Sequence, residues 1–106
     1  MTTHPLDRLF ATILSRKGAD TSASYTAQLL AKGPLAAAKK LGEEAVETGL
    51  AAASQDKNEV TRESADLLYH LLVLWASCGV TPQDVYDELA KREGVSGLAE
   101  KASRKP

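Results

Sequence analysis

Apolar residues recur along this chain at helical spacing, and the interruptions fall on glycine and proline. Leu6, Leu9, Phe10, Ile13 and Leu14 follow the i, i+3, i+4, i+7, i+8 rhythm of one helix face, and Gly18 closes that segment, which opens near Pro5. A small polar stretch, Ala19 to Ser24, forms a loop that is a candidate ligand lid. Ser24 then caps a short helix carrying Tyr25, Leu29 and Leu30 and ending at Gly33. Pro34 suits a first helical position, where its missing N–H costs nothing, so a long helix is expected from Pro34 to about Ser54. Asp56 and Glu59 have the spacing of a capping box for a second long helix reaching about Ser77, with Gly79 as its stop. Thr81 and Pro82 open a last helix to about Glu93, and the tail from Gly94, with Lys101, Arg104 and Lys105, is expected to fray. No alternating pattern competes. The expectation is an all-α bundle of two long and about three shorter helices.

Within the second long helix, Leu67 to Ala76 is apolar on every side except at His70. A helix apolar all round is covered all round, and satellites this short cannot cover it. A second copy packed across a twofold axis would, so the bundle is expected to be completed by dimerisation or a higher homo-oligomer.

The 106 residues are expected to form one domain. With 13 Lys+Arg against 14 Asp+Glu, the net charge of −1 lacks the basic footprint of a nucleic-acid binder. A single cysteine, Cys78, excludes an intrachain disulfide and a Cys-based zinc site, which suits a reducing cytoplasm. No stretch approaches the roughly 20 apolar residues of a membrane span. Cytoplasmic location, with neither membrane nor nucleic acid as partner, is the expectation.

Carboxylates carry the candidate chemistry. On the first long helix Glu43, Glu44 and Glu47 share a face through i, i+3 and i, i+4 spacing, opposite the stripe Leu35, Ala38, Ala45, Gly49 and Ala53. On the second, Glu63 and Asp66 repeat the i, i+3 spacing, with His70 one turn beyond. Lys39 with Glu43 and Lys40 with Glu44 could be simple i, i+4 surface pairs. That reading leaves Glu47 without a cation on its C-terminal side, and Asp66 enters an apolar run with no Lys or Arg after it until Lys91. All-oxygen ligands suit a hard cation, Mg²⁺ above all, which takes a few carboxylates and completes its shell with water and phosphate oxygens. A di-iron site would want Glu-x-x-His, and His70 has the wrong offset. His70 is expected to be a half-buried histidine bonded to a carboxylate or a carbonyl, and Tyr69 and Trp75 belong to core or interface.

Glu44-x-x-Glu47 followed by Glu63-x-x-Asp66 resembles the signature of the all-α MazG-like nucleoside triphosphate pyrophosphohydrolases. Three blocks narrow the likeness, which runs from about Leu6 to Arg92: Ser24-Tyr25-Thr26-Ala27, Lys40-x-Gly42-Glu43-Glu44-x-x-Glu47, and Asp66-Leu67-x-Tyr69-His70-Leu71-Leu72-Val73-Leu74. Together they are similar to the phosphoribosyl-ATP pyrophosphohydrolases of histidine biosynthesis. The resemblance implies hydrolysis of phosphoribosyl-ATP to phosphoribosyl-AMP and pyrophosphate with Mg²⁺ bound, Mn²⁺ being a possible substitute. It implies Glu44, Glu47, Glu63 and Asp66 as metal ligands, and Glu43 or Glu47 as the group that prepares water.

The substrate's separate 5′-phosphate calls for positive charge beyond the metal's reach. Lys40 is best placed, with Arg16, Lys17 and Arg92 as further phosphate ligands and the hydroxyls of Ser22, Ser24, Tyr25 and Thr26 at a helix N-terminus. No cyclohydrolase domain is expected in the chain, so the next step would fall to a separate protein. Two alternatives stand beside this reading: a housecleaning pyrophosphatase acting on ordinary (deoxy)nucleoside triphosphates, and a helical dimerisation module without chemistry.

Overall fold

The computed structural model describes residues 4–104, and those residues form six helices: α1 (Pro5–Ser15), α2 (Tyr25–Lys32), α3 (Pro34–Ala53), α4 (Lys57–Cys78), α5 (Pro82–Lys91) and α6 (Gly97–Ser103). Local chemistry sets most of these limits. The Ser24 side chain accepts from the Ala27 amide to start α2, Asp56 accepts from Asn58 and Glu59 to start α4, and Gly79, at φ 75° and ψ 21°, ends α4 in the left-handed conformation glycine favours. The reciprocal capping box lies elsewhere than expected. Thr81 and Asp84 form it at α5, whereas the Glu59 carboxylate turns to Arg62, 3.0 Å away, because a guanidinium is the stronger donor.

A second correction concerns the tail. Where residues beyond Gly94 were expected to fray, Gly97–Ser103 forms a helix capped by Ser96, and Glu100 pairs with Arg104 and Arg92. The short helices among the described residues therefore number four rather than about three. Lys105 lies outside the described residues.

α3 and α4, joined by the turn at Ser54–Asp56, lie antiparallel. Thr48 of α3 donates to the Glu63 carbonyl of α4 at 3.2 Å, while Glu44, one turn earlier on α3, meets His70, further along α4. α1 packs on α4, α2 fills the angle between α3 and α4, and α5 reaches α1 through the Tyr86 hydroxyl donating to Asp7. The core is Phe10, Ile13, Leu29, Ala37, Leu72, Val73 and Ala76. Ile13, Leu72 and Val73 are its largest fully enclosed side chains, each worth about 1.5–3 kcal/mol of burial.

α3 inverts the ordinary amphipathic rule. Its inward line is Ala37, Glu44 and Ala51, seven residues apart, while the stripe Leu35, Ala38, Ala45, Gly49 and Ala53 faces outward. Leu35, Val46 and Leu50 are 88%, 63% and 66% exposed, so the apolar face of this helix is uncovered within one chain. α4 is only partly covered: Leu72, Val73 and Ala76 are enclosed, Leu67, Leu71, Leu74 and Trp75 are half-buried, and Leu68 is exposed. Among the described residues no single helix is long and apolar enough to cross a membrane.

Candidate active site

Turning Glu44 inward places a carboxylate where a small apolar residue would otherwise sit, one turn from Lys40 and opposite the acidic turn of α4. One oxygen from each of Glu44, Glu63 and Asp66 lies within 4.8 Å of the others, a spacing that could hold a metal ion. Glu44 is buried and Glu63 half-buried, while Asp66 is exposed at the rim. The expectation that Asp66 enters an enclosed run is thus corrected: α4 turns residues 70, 72, 73 and 76 inward and leaves Asp66 exposed. The buried acid that needs a counter-charge is Glu44.

Oε2 of Glu44 and Oε2 of Glu63 are both buried without a hydrogen-bond partner. Unpaired buried carboxylate oxygens cost several kcal/mol unless something positive meets them. Burial, and then the charges of Glu47, Asp66 and Glu63, pushes the Glu44 carboxyl above its ordinary pKa. Burial, followed by Glu47 and Asp66, does the same for Glu63. Glu47 is exposed on the same side of α3 and acts on both, so four carboxylates share one field. These residues fit a hard divalent cation: an all-oxygen set, two oxygens lacking any other partner, and an open rim for a ligand to complete the shell.

His70 is buried rather than half-buried, with Nε2 3.8 Å from Oε1 of Glu44 and Nδ1 unpartnered. Burial and then Lys40 hold it below the ordinary histidine pKa, so it stands beside Glu44 as a neutral ring. The Tyr25 ring meets the His70 ring edge-on at 6.4 Å, and Tyr69 does so at 4.9 Å. The hydroxyls of Tyr69 and Thr26 share a hydrogen bond that ties α2 to α4.

A family profile described as phosphoribosyl-ATP pyrophosphohydrolase matches residues 6–93. The chain belongs to that family. It is 65% identical to the phosphoribosyl-ATP pyrophosphatase of Parvibaculum lavamentivorans over 93% of this chain and 91% of that protein. Proteins of the same name from Azospirillum brasilense and Paramagnetospirillum magneticum are 57% and 59% identical, over 94% and 93% of this chain and 90% and 91% of theirs.

Not every residue nominated from the family likeness comes to the seam. Glu43 lies outside the carboxylate trio, with an oxygen 3.5 Å from Lys40 Nζ. That pair, at i, i+3, stands in place of the Lys40–Glu44 pair of the surface reading, because Glu44 points inward. Ser24 is spent on its cap and Thr26 on Tyr69. Ser22 folds back on Asp20, and Gln28 donates to the Thr21 carbonyl, so the loop before α2 is held by local bonds. Arg16 and Lys17 are exposed after α1, with Arg16 donating to Ser15. Arg92 is engaged at the α5–α6 end by Glu88 and Glu100. The carboxylate expected beside His70 is that of Glu44, whereas sequence reasoning missed the two lysines, Lys32 and Lys39, that line a cleft beside Lys40. For Lys39 the available signal was its position next to Lys40 on the same helix.

Proposed function

We propose that this chain hydrolyses phosphoribosyl-ATP to phosphoribosyl-AMP and pyrophosphate, the second step of histidine biosynthesis, at the α3–α4 seam. The observation that carries the reading is the pair of buried, unpartnered oxygens on Glu44 and Glu63 inside a trio of carboxylates. A fold does not keep such a group for stability, whereas triphosphate hydrolysis needs it.

In this reading Glu44, Glu47, Glu63 and Asp66 would hold Mg²⁺, with Mn²⁺ as a substitute, and an ion held there would neutralise the triphosphate and polarise the scissile phosphorus. Glu47, exposed beside the trio, accepts a proton from the attacking water, with Glu43, which is paired with Lys40 outside the trio, as the second candidate for that role. The water oxygen bonds to phosphorus in the α,β-anhydride, the bridging P–O bond breaks, and pyrophosphate leaves. His70 packs beside the Glu44 carboxylate, with Nε2 3.8 Å from Oε1. Lys40 and Tyr25 border the seam on the α2 side and meet the substrate's anionic groups.

The working unit in this reading is a homodimer or larger. The uncovered α3 face and the half-buried leucines of α4 support it, as does a radius of gyration of 15.8 Å against about 13 Å for a compact domain of this length. With this activity the protein works in the cytoplasm. The housecleaning alternative shares the metal site and differs in substrate, so one panel tests both: phosphoribosyl-ATP, ATP and deoxynucleoside triphosphates with Mg²⁺, reading pyrophosphate. Preferred release from phosphoribosyl-ATP is expected. Equal or greater release from ATP or a deoxynucleotide would overturn the substrate assignment, and none from any would overturn the enzyme reading.

A further inference from the structure

Between α2 and α3 lies a cleft of about 390 Å³, bordered by Tyr25, Leu29, Lys32, Ala36, Lys39 and Lys40. It adjoins the carboxylate seam through two shared residues. Lys40 is one helical turn from Glu44, and Tyr25 is edge-on to His70, which in turn faces Glu44. The cleft is therefore a second compartment of the same site, of opposite charge.

We infer that this cleft seats the 5′-phosphate of the phosphoribosyl arm, with Lys32 and Lys39 as its ligands; the assignment rests on the substrate proposed above. Charge counting supports it. Glu43, also on the cleft wall, compensates Lys40 at 3.5 Å, whereas among the described residues neither Lys32 nor Lys39 has an ion pair. Two uncompensated positive charges remain, facing a phosphate monoester that carries about −1.5 to −2 near neutral pH. A cation held by the carboxylate seam would neutralise the triphosphate, and the monoester has no such partner there. A cleft of net positive charge concentrates anions, and lysine serves as a point charge for a single phosphate. Leu29 and Ala36 give the cleft an apolar floor and Tyr25 an aromatic wall, surfaces suited to the ribose that precedes the phosphate.

The test is the double variant Lys32→Gln/Lys39→Gln, titrated calorimetrically without divalent metal against phosphoribosyl-AMP, which has the 5′-phosphate of the phosphoribosyl arm, and AMP, which does not. Each exposed contact contributes about threefold, so the preference for phosphoribosyl-AMP over AMP should fall about tenfold while AMP binding holds. KM for phosphoribosyl-ATP should rise by a similar factor, with the loss in KM rather than kcat. Equal weakening of both ligands would overturn the inference by assigning the lysines to the nucleotide's own phosphate, and so would no weakening of either. The variant Lys57→Gln/Lys101→Gln controls for lost positive charge, and the same loss of preference there would also overturn it. Wild-type protein that releases no pyrophosphate from phosphoribosyl-ATP would refute the activity, while the two titrations still decide the cleft.

Discussion

Glu44→Gln removes one charge from the seam at nearly constant shape, and its effect on stability should change sign with metal. In the metal-free protein Glu44 is 8% exposed, lacks a partner at Oε2 and is flanked by Glu47, Glu63 and Asp66. The amide escapes that repulsion but still needs partners of its own, so the net gain should be about 1 kcal/mol, or about 4–8 °C in melting temperature for a domain of this size. The sign with pH follows from the raised carboxyl. A group whose folded pKa exceeds its unfolded value contributes stability in full below the unfolded pKa and loses it as pH rises through the folded one. Wild type and variant should therefore melt alike in acid and separate as pH rises toward neutrality. Mg²⁺ at a hundred times its dissociation constant adds about 2.7 kcal/mol to a protein with an intact site, and the variant should forgo most of that, so wild type becomes the more stable. Circular-dichroism melts with chelator and with Mg²⁺, at matched ionic strength and protein concentration, read both states. A variant that melts below wild type in chelator near pH 7, or that gains as much from Mg²⁺, would refute the reasoning.

Tyr69→Phe leaves the half-buried Thr26 hydroxyl without its partner and should cost about 1 kcal/mol in urea unfolding; an unchanged midpoint would show that the bond contributes nothing. Thr81→Ala removes the hydroxyl that accepts from the Asp84 amide, leaving only the backbone N–H of residue 81 on the Asp84 carboxylate, and should cost about 1 kcal/mol in the same assay, against no loss if tertiary contacts alone hold α5. Leu50→Glu, on the uncovered face of α3, should shift sedimentation of the protein toward monomer, and a wild type already monomeric at micromolar concentration would contradict the self-association.

Helix limits were legible because each depends on one or two residues with a local mechanism: Ser24, Pro34, Asp56, Gly79, Thr81. α6 was not, because its seven residues include a glycine at the first position and its ion pairs, Glu100 with Arg104 and Arg92, depend partly on the turn that brings α5 beside it. The carboxylates of the site were legible as a spacing, and the spacing does bring Glu44, Glu63 and Asp66 together. Which of them is buried was not. Periodicity reports two faces of α3 without saying which turns inward, and here the inward face carries Glu44 while Leu35, Val46 and Leu50 stay outside. Lys32 and Lys39 were missed for a related reason: they belong to different helices, and only the packing of α2 against α3 makes one cleft of them.

The most direct test of the proposed chemistry is a ³¹P NMR time course of phosphoribosyl-ATP with wild type and Asp66→Asn, each with Mg²⁺ and then with excess chelator. The account predicts that wild type with Mg²⁺ converts the triphosphate resonances into pyrophosphate and phosphoribosyl-AMP, and that both Asp66→Asn and chelator abolish that conversion. Orthophosphate as the released product, or full conversion by Asp66→Asn with the metal removed, would contradict it.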